Sequence, residues 1–456
     1  MNRTIHLTDN NYQGICIPNE SIQDVQQISE IGYLKNAPDL LVFPHSFSEL
    51  QDGLGELSII SLREAQYKDG KCVYVKACTG NLMGFVGVNE TSISIHSRFS
   101  THQNNEDIDS SSPDNFLYYM LQKVFSINIF SLDHSSSSDD NILDFLLFLF
   151  PLFLKKAISQ GLFKEYRRYH HDDSKVKGVI SVSRFILKDI PFRGNISYTT
   201  REYSYDNAIT QLIRHTIEFI KLHPFGNTIL NSNSETIAYV RQIVECTPSY
   251  KLMDRQQVLN KNLRPKVHPY FTKYIDLQKL CIQILKHDSL RYGKEKDKIH
   301  GILFDGAWLW EEYLNTILRS EGFKHSENKL QRGELNMFEE PNAEALICRN
   351  SRKLYPDFYK DSFILDAKYK HLNQGIGRED LYQVVTYMYC TMDKNGGYVY
   401  PSESGDGMAK FKLKGYGGLM HLLPMFIPKK DLYSEFIKEM RKSEEILKDN
   451  LKEAEK

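Results

Sequence analysis

One seventeen-residue segment, LYPDFYKDSFILDAKYK at 354–370, constrains the fold of this chain more than any other stretch. Its pattern predicts two short extended segments joined by a polar turn at Lys360 and Asp361. The second segment opens with the apolar run 363–365 and continues directly into Asp366 and Lys368. We therefore expect a hairpin whose second strand is buried and carries charged side chains at its end.

Charged and apolar side chains alternate at the end of this second strand. Because successive side chains of a strand point to opposite faces, Asp366, Lys368 and Lys370 are expected on one face. Ala367 and Tyr369 are expected on the other face. The alternation predicts a charged face backed by a packed one.

A paired hairpin would also bring Asp357 close to Asp366, so that two carboxylates and the Lys368 ammonium share one patch. Such a patch suits Mg²⁺, which prefers oxygen ligands and keeps several waters. Two carboxylates can hold the ion while the lysine orients or helps deprotonate a water that attacks a phosphodiester. Short motifs of this kind also occur by chance, and an ordinary charged surface hairpin is the alternative interpretation.

Two acidic residues, Glu311 and Glu312, lie in the middle of an apolar segment, GAWLWEEYLNTIL at Gly306–Leu318. Its spacing predicts a helix that directs four side chains toward a core: Trp308, Leu309, Tyr313 and Ile317. At least one glutamate must then lie at or near the core, where a carboxylate needs a partner. A metal or lysine near Asp357 could be that partner, while two surface glutamates fit the spacing equally well.

A second helix is predicted after the hairpin, in the segment LYQVVTYMYC that follows Asp380. Asp380, Gln383 and Tyr387 have i, i+3, i+7 spacing and form a polar stripe on one face. This stripe could hydrogen-bond a scissile phosphate or the lysine of the hairpin. An ordinary amphipathic helix is the alternative.

Composition and charge limit the possible classes. The 456 residues allow two or three domains, and 41% hydrophobic with 25% charged residues is typical of a soluble globular protein. A net charge of -1 argues against a protein that coats nucleic acid unaided, so DNA contacts are expected to be few or supplied by a partner. Seven scattered cysteines without a CxxC pair, and a start without an apolar core, favour a reduced cytoplasmic protein. The apolar run 142–154 is too short to span a bilayer and is predicted to be a buried helix.

The chain is expected to be a multidomain α+β protein. Residues 1–105 predict a β-rich domain with helices near 21–31 and 46–54 and a hairpin within 81–99. Residues 106–298 predict a mostly helical middle domain, in which Asp206 or Asn207 caps a helix after a strand. A further domain is expected at 299–437, and the charged tail 438–456 predicts a solvated helix or a frayed end.

The order of these features resembles the PD-(D/E)xK nuclease superfamily, in the branch that also carries a Q-x-x-x-Y helix. More narrowly, the chain is similar to the McrC family, the nuclease subunits of McrBC modification-dependent restriction systems. The similarity is strongest in four segments: FDGAWLWEEYL, YPDF, ILDAKYK and DLYQVVTY.

The resemblance implies an α/β PD-(D/E)xK endonuclease core at 299–437. It implies that Asp357, Asp366 and Glu311 bind Mg²⁺, with Glu311 as a supporting acid, and that Lys368 is the catalytic lysine. It also implies that Gln383 and Tyr387 position DNA or phosphate. For Lys370 we expect a place near the DNA backbone rather than in the chemistry.

The resemblance also implies partners. They are a McrB-like AAA+ GTPase ring, into which the N-terminal region docks to stimulate hydrolysis, and double-stranded DNA; no membrane is implied. No GxxxxGK[ST] motif occurs, so GTP is expected on the partner and not on this chain. The expected function is cleavage of modified foreign DNA. The alternatives are a non-catalytic adaptor of the AAA+ partner and a standalone PD-(D/E)xK repair nuclease.

Overall fold

The computed structural model describes residues 3–31, 39–44, 59–68, 71–89, 91–100, 114–125, 138–291, 299–326, 335–337, 353–372, 375–415 and 417–455. By its internal contacts the chain divides into two units, Met1–Ile142 with Ser289–Lys456, and Leu143–Asp288. Both units mix helices and strands, so the expectation of a multidomain α+β fold is confirmed at this level. The division differs from the one expected from sequence, because the first unit contains both ends of the chain.

The N-terminal part of the first unit is rich in strands. Its elements are β1 (Arg3–Thr8), β2 (Ile15–Cys16), α1 (Ile22–Ser29), β3 (Asp39–Phe43), β4 (Ile60–Lys68), β5 (Lys71–Thr79), β6 (Leu82–Val88), β7 (Thr91–His96) and α2 (Asn115–Phe125). The predicted hairpin is β6 and β7, which pair antiparallel around Asn89, a residue that tolerates its positive φ of 51°. The helix expected near 21–31 is α1, whereas the one expected near 46–54 lies outside the described residues.

The second unit is mostly helical. Together with a helix that begins just before it, its elements are α3 (Ser138–Ile158), β8 (Glu165–Asp173), β9 (Val179–Ile180), α4 (Val182–Lys188), β10 (Ile196–Ser204), α5 (Ala208–Leu222), α6 (Gly226–Leu230), α7 (Ser234–Cys246), α8 (Arg255–Asn262) and α9 (Tyr274–Arg291). Strands β8, β10 and β9 form a small antiparallel sheet. Asn207 is the N-cap of α5, since its side chain accepts hydrogen bonds from the amides of Ile209 and Thr210.

The apolar run 142–154 lies in α3, and its residues Leu147, Phe150 and Leu154 are fully buried. The prediction of a buried helix is confirmed. Within the described residues, no helix is both long and apolar enough to cross a membrane.

The C-terminal part of the first unit contains a mixed sheet with helices. Its elements are β11 (His300–Asp305), α10 (Gly306–Leu318), β12 (Lys324–His325), β13 (Leu335–Asn336), β14 (Lys353–Leu354), β15 (Phe358–Lys360), β16 (Phe363–Ala367), α11 (Arg378–Thr391), β17 (Asn395–Ser402), β18 (Ala409–Lys412), β19 (Leu419–Phe426) and α12 (Tyr433–Ala454). We call the six strands in the order β12-β15-β16-β17-β19-β18 the C-terminal sheet. Its strands β16, β17 and β19 are parallel.

Strand β11 does not belong to the C-terminal sheet. It lies in the N-terminal sheet, defined by the order β1-β7-β6-β11-β3, where it pairs antiparallel with β6 and parallel with β3. The approach is close at Gly84, where an added Cβ would lie 2.3 Å from the Ile302 carbonyl oxygen. Residues 300–305, which the sequence assigns to the C-terminal domain, therefore complete a sheet made by the N-terminal strands.

Of the prediction of a solvated helix or a frayed end at 438–456, the helix is confirmed and its solvation is wrong. Residues 438–454 continue α12, a regular helix that packs on β19, α10 and α2. Phe436, Met440, Leu447 and Leu451 recur at helical spacing and are at most 2% exposed. Most charges of this segment lie on the exposed face, with Glu444 as a buried exception, so its high charge hid an amphipathic helix.

Candidate active site

The segment 354–370 forms the predicted hairpin. Strands β15 and β16 pair antiparallel with Phe358 opposite Leu365. The turn lies at Asp361 and Ser362, one residue later than predicted, and Ser362 has a φ of 70°. Every residue of β16 is buried, because this strand lies between β15 and β17 in the sheet.

The hairpin brings Asp357 and Asp366 together. Oδ2 of Asp357 accepts a hydrogen bond of 2.8 Å from the amide of Ala367, the residue next to Asp366. Asp357 is 6% exposed and Asp366 is 0% exposed. Two carboxyl groups thus share a site that is almost closed to bulk water.

The electrostatics of this pair are unfavourable without a further cation. Burial, together with the neighbouring charge of Glu311, raises the pKa of Asp357 to about 7. Burial and the charge of Asp357 raise the pKa of Asp366 to about 8. Within the described part of the chain, Oδ1 of Asp366 accepts no hydrogen bond. The site therefore holds carboxylate oxygens that a cation would stabilise.

Lys368 is the ammonium nearest to these carboxylates. Its Nζ lies 2.7 Å from Oδ2 of Asp366, 3.3 Å from Oδ1 of Asp380 and 3.3 Å from Oε1 of Gln383. Burial acts to lower the pKa of Lys368, but Asp366 and its other acidic neighbours outweigh burial and raise it. Lys368 is therefore a fixed positive charge at neutral pH.

The polar stripe on α11 faces this lysine. Gln383 accepts from Lys368 and donates from Nε2 to the Tyr387 hydroxyl at 2.8 Å. Tyr387 in turn donates to the carbonyl oxygen of Tyr355 at 3.3 Å. Two of the stripe's residues thus connect the lysine to the backbone just before Asp357.

Lys370 lies at the edge of the site. Its ammonium forms an ion pair and hydrogen bond with Oδ2 of Asp380, and its side chain is 41% exposed. Asp380 thus contacts Lys368 and Lys370 with different oxygens.

Glu311 reaches the site from α10, whose bounds are those predicted from sequence. Asp305 caps this helix by accepting hydrogen bonds from the amides of Ala307 and Trp308 at 2.8 and 3.1 Å. Trp310 is fully buried, whereas Trp308 is only partly buried, so the expectation that Trp308 points toward the core is met in part. The neighbouring Glu311 is partly buried, and its negative charge acts on Asp357.

His325 is a site residue that sequence reasoning missed. Its Nδ1 donates to the backbone carbonyl oxygen of Asp357 at 2.8 Å, and its ring stacks on Phe358 with centroids 4.8 Å apart. Nε2 lies 3.8 Å from Oε1 of Glu312. Burial acts to lower the pKa of His325, but Glu312 and the Asp357 carbonyl raise it overall. No sequence pattern indicated His325, because it reaches the site only through the pairing of β12 with β15.

The oxygen donors fit Mg²⁺ better than a metal that needs a complete protein cage. Among the described residues, no three His, Cys, Asp or Glu side chains converge closely enough to hold an ion by themselves. Mg²⁺ usually takes one or two carboxylates and completes its shell with water and substrate phosphate. The buried pair of Asp357 and Asp366, with an unbonded Asp366 oxygen, matches that requirement.

Comparison with known families places this geometry in context. Residues 77–401 match the family model described as McrBC 5-methylcytosine restriction system component. The chain belongs to the McrBC family. The matched range contains every candidate site residue named above, from Asp305 to Tyr387. A search of curated proteins found no match.

One solved McrBC assembly contains a chain of similar fold. A chain of the refined half-complex from the tetradecameric assembly of Thermococcus gammatolerans McrB AAA+ hexamers with bound McrC matches with a TM-score of 0.51 at 15% identity. The match covers 99% of both chains. The cryo-EM structure of the Thermococcus gammatolerans McrBC complex gives a TM-score of 0.32 at 16% identity, covering 71% of this chain and 90% of that one.

Proposed function

We propose that this McrBC component is a Mg²⁺-dependent DNA endonuclease, the cleavage subunit of a restriction complex that acts on modified foreign DNA. The observation that carries the proposal is the convergence of Asp357, Asp366 and Lys368 in one buried site. The raised pKa values of the two carboxyl groups, about 7 and about 8, support the proposal, because strongly shifted pKa values are typical of functional sites. The chain order of these residues supports the PD-(D/E)xK constellation that the resemblance implies.

Asp357 and Asp366 would hold the cation, with Glu311 as a supporting acid. When bound, Mg²⁺ supplies Lewis-acid activation of water and neutralises negative charge on the phosphate. Lys368, fixed by Asp366 and Gln383, donates from its ammonium to the attacking water or to a phosphate oxygen. The hydrogen bonds of Gln383 and Tyr387 keep Lys368 in a fixed position relative to the backbone just before Asp357. The water then attacks phosphorus, and the 3′-oxygen leaves.

We further propose that an AAA+ GTPase ring is the partner. The related fold was solved with McrB AAA+ hexamers with bound McrC, which supports the same assembly here. In the assembly, this chain would activate GTP hydrolysis by the ring, and the ring would supply the DNA contacts that a chain of net charge -1 lacks.

The test is a cleavage assay on modified double-stranded DNA with the assembled complex, Mg²⁺ and GTP. Asp366→Ala and Lys368→Ala are each expected to abolish cutting while partner binding and stimulation of GTP hydrolysis persist. Lys360→Ala is the matched control, because Lys360 lies on the same hairpin but pairs with Glu455 at 2.6 Å. Cleavage that survives both substitutions would refute the assignment.

Cleavage assays with and without the AAA+ partner distinguish the proposed subunit from a standalone nuclease and from a non-catalytic adaptor. A subunit is expected to cut only when assembled, whereas a standalone repair nuclease cuts alone. A non-catalytic adaptor would stimulate GTP hydrolysis without any cutting by the wild-type complex.

A further inference from the structure

Tyr369, the residue after Lys368, points away from the carboxylates and into the N-terminal sheet. Its side chain is buried, with 6% of the residue exposed. The hydroxyl lies 2.7 Å from Oγ of Ser97, which directly follows β7, and 3.3 Å from Sδ of Met83 on β6. A side chain adjacent to the proposed catalytic lysine is therefore anchored in a different sheet, 272 residues away in sequence.

The ring of Tyr369 contacts two side chains that follow β7. The Arg98 guanidinium lies over the ring at 4.8 Å, and the Phe99 ring meets it edge-on with centroids 5.2 Å apart. Arg98 is itself fixed by Asp9, whose Oδ2 it contacts at 2.6 Å. Such surroundings leave the ring few alternative positions.

The same ring also packs on the start of α10. A Cβ at Gly306 would lie 2.7 Å from the Tyr369 ring, so only glycine fits without a shift. The Gly306 amide donates to the Asn81 carbonyl oxygen at 2.7 Å, just before β6. The helix that carries Glu311 thus starts at the point where Tyr369 meets the N-terminal sheet.

We propose that Tyr369 is a positioning residue through which the N-terminal sheet fixes the backbone at Lys368. The proposal rests on the proposed nuclease function for its kinetic consequence, but its structural consequence is independent of it. Lys368 donates its amide to the Val399 carbonyl oxygen at 3.0 Å, just beyond the β16 strand. The Ser97 bond on one side and this bond on the other hold the lysine's backbone in place.

The experiment compares Tyr369→Phe, Ser97→Ala and the double variant in the full-length chain assembled with its partner. Tyr433→Phe is the matched control, since Tyr433 is also buried and donates from its hydroxyl to Gln122 at 2.6 Å. Tyr369→Phe and Ser97→Ala are each expected to lower kcat about 10-fold with little change in the KM for DNA, because small misplacements impair oriented chemistry. The double variant is expected to lose no more activity than Tyr369→Phe alone, since Tyr369→Phe already removes the Ser97 bond together with the Met83 contact.

Hydrogen exchange at the Lys368 amide provides a readout that does not need cleavage. Exchange is expected to accelerate in Tyr369→Phe and Ser97→Ala but not in Tyr433→Phe. Wild-type exchange and wild-type kcat in both variants would overturn the positioning role. If instead the wild type does not cut but exchange accelerates as expected, the nuclease function fails and the positioning of Lys368 stands. If Tyr369→Phe does not fold, the kcat and the Lys368 amide exchange of Ser97→Ala test the positioning role by themselves.

Discussion

Two buried carboxylate sites in the same unit have opposite surroundings. Glu444 on α12 is 9% exposed, and its Oε1 accepts from the hydroxyls of Tyr119 and Tyr313 at 2.7 and 2.9 Å. Its Oε2 accepts from Lys123 at 2.9 Å. Both oxygens of Glu444 thus have donors. Oδ1 of Asp366, which is buried more deeply, accepts no hydrogen bond from the described residues.

The difference separates a structural carboxylate from the one that we propose to be functional. A buried acid that is fully hydrogen-bonded stabilises the elements that surround it, here α2, α10 and α12. A buried acid with an unbonded oxygen and a pKa raised to about 8 costs stability until a cation arrives. Burial is common to both carboxylates, whereas an oxygen without a hydrogen-bond donor among the described residues, Oδ1, is found only on Asp366.

The largest expected effect comes from Asp366→Asn. Loss of the charge is expected to reduce cleavage by about 1,000-fold or more, because a ligand for the proposed cation is lost. The same change is expected to stabilise the metal-free protein by about 1 to 2 kcal/mol at pH 8, since a disfavoured buried charge is removed. Cleavage rates and urea unfolding in EDTA measure the two effects.

Glu444→Ala is expected to have the opposite effects, a loss of stability without a loss of cleavage. It leaves two hydroxyls and one ammonium without their acceptor and is expected to cost about 3 kcal/mol of stability. Cleavage per folded molecule is expected to remain unchanged. A stability gain in Glu444→Ala, or a stability loss in Asp366→Asn, would contradict the distinction between the two sites.

The next effect is a pH dependence of the metal-free protein. Burial raises the pKa of Asp357 and Asp366 from 3.8 to about 7 and about 8, so the folded state keeps protons that the unfolded state releases. The contribution of these two acids to stability is therefore expected to be greatest below about pH 4 and to be lost as the pH rises to about 8. The slope is at most about 1.4 kcal/mol per pH unit for each acid.

Urea unfolding at a series of pH values checks this dependence, and Mg²⁺ is expected to flatten it. Asp114, whose pKa burial raises to about 7, contributes to the same window. Asp114 accepts from the amides of Ser97 and Leu117 and lies outside the proposed metal site, so its contribution persists with Mg²⁺. A slope that Mg²⁺ does not change would assign the whole effect to such structural acids.

The smallest expected effect concerns Lys370. Lys370→Ala is expected to weaken DNA binding about 3- to 10-fold and to lower the salt dependence of binding, with turnover largely kept, if its ammonium contacts a DNA phosphate as we propose. Binding titrations at two salt concentrations and single-turnover rates measure this. Lost turnover with normal binding would instead assign Lys370, through Asp380, to the chemistry.

Local patterns were predicted well because a few neighbouring residues encode them. The hairpin at 354–370, the bounds of α10 and the Asn207 cap follow from alternation, apolar spacing and side-chain capping. The closeness of Asp357 and Asp366 follows from strand pairing over ten residues. Each of these depends on contacts within one hairpin or one helix.

Long-range contacts were predicted poorly. His325 reaches Asp357 only through strand pairing, and α12 looked like a solvated tail because charges outnumber its apolar residues. The placement of β11 depends on the strands with which it pairs. These strands, β3 and β6, lie more than 200 residues before it in sequence. Nothing in the local pattern of residues 300–305 distinguishes one sheet from another.

The sequence by itself determined the chemistry that this McrBC chain can offer: two aspartates and a lysine at hairpin spacing, followed by a Gln/Tyr stripe. Only the tertiary structure decided which carboxylate oxygen is left without a donor and which sheet the Tyr369 side chain packs against. The physical reason is that turn geometry and side-chain periodicity act over a few residues, whereas burial and strand partners are set by packing across the whole unit.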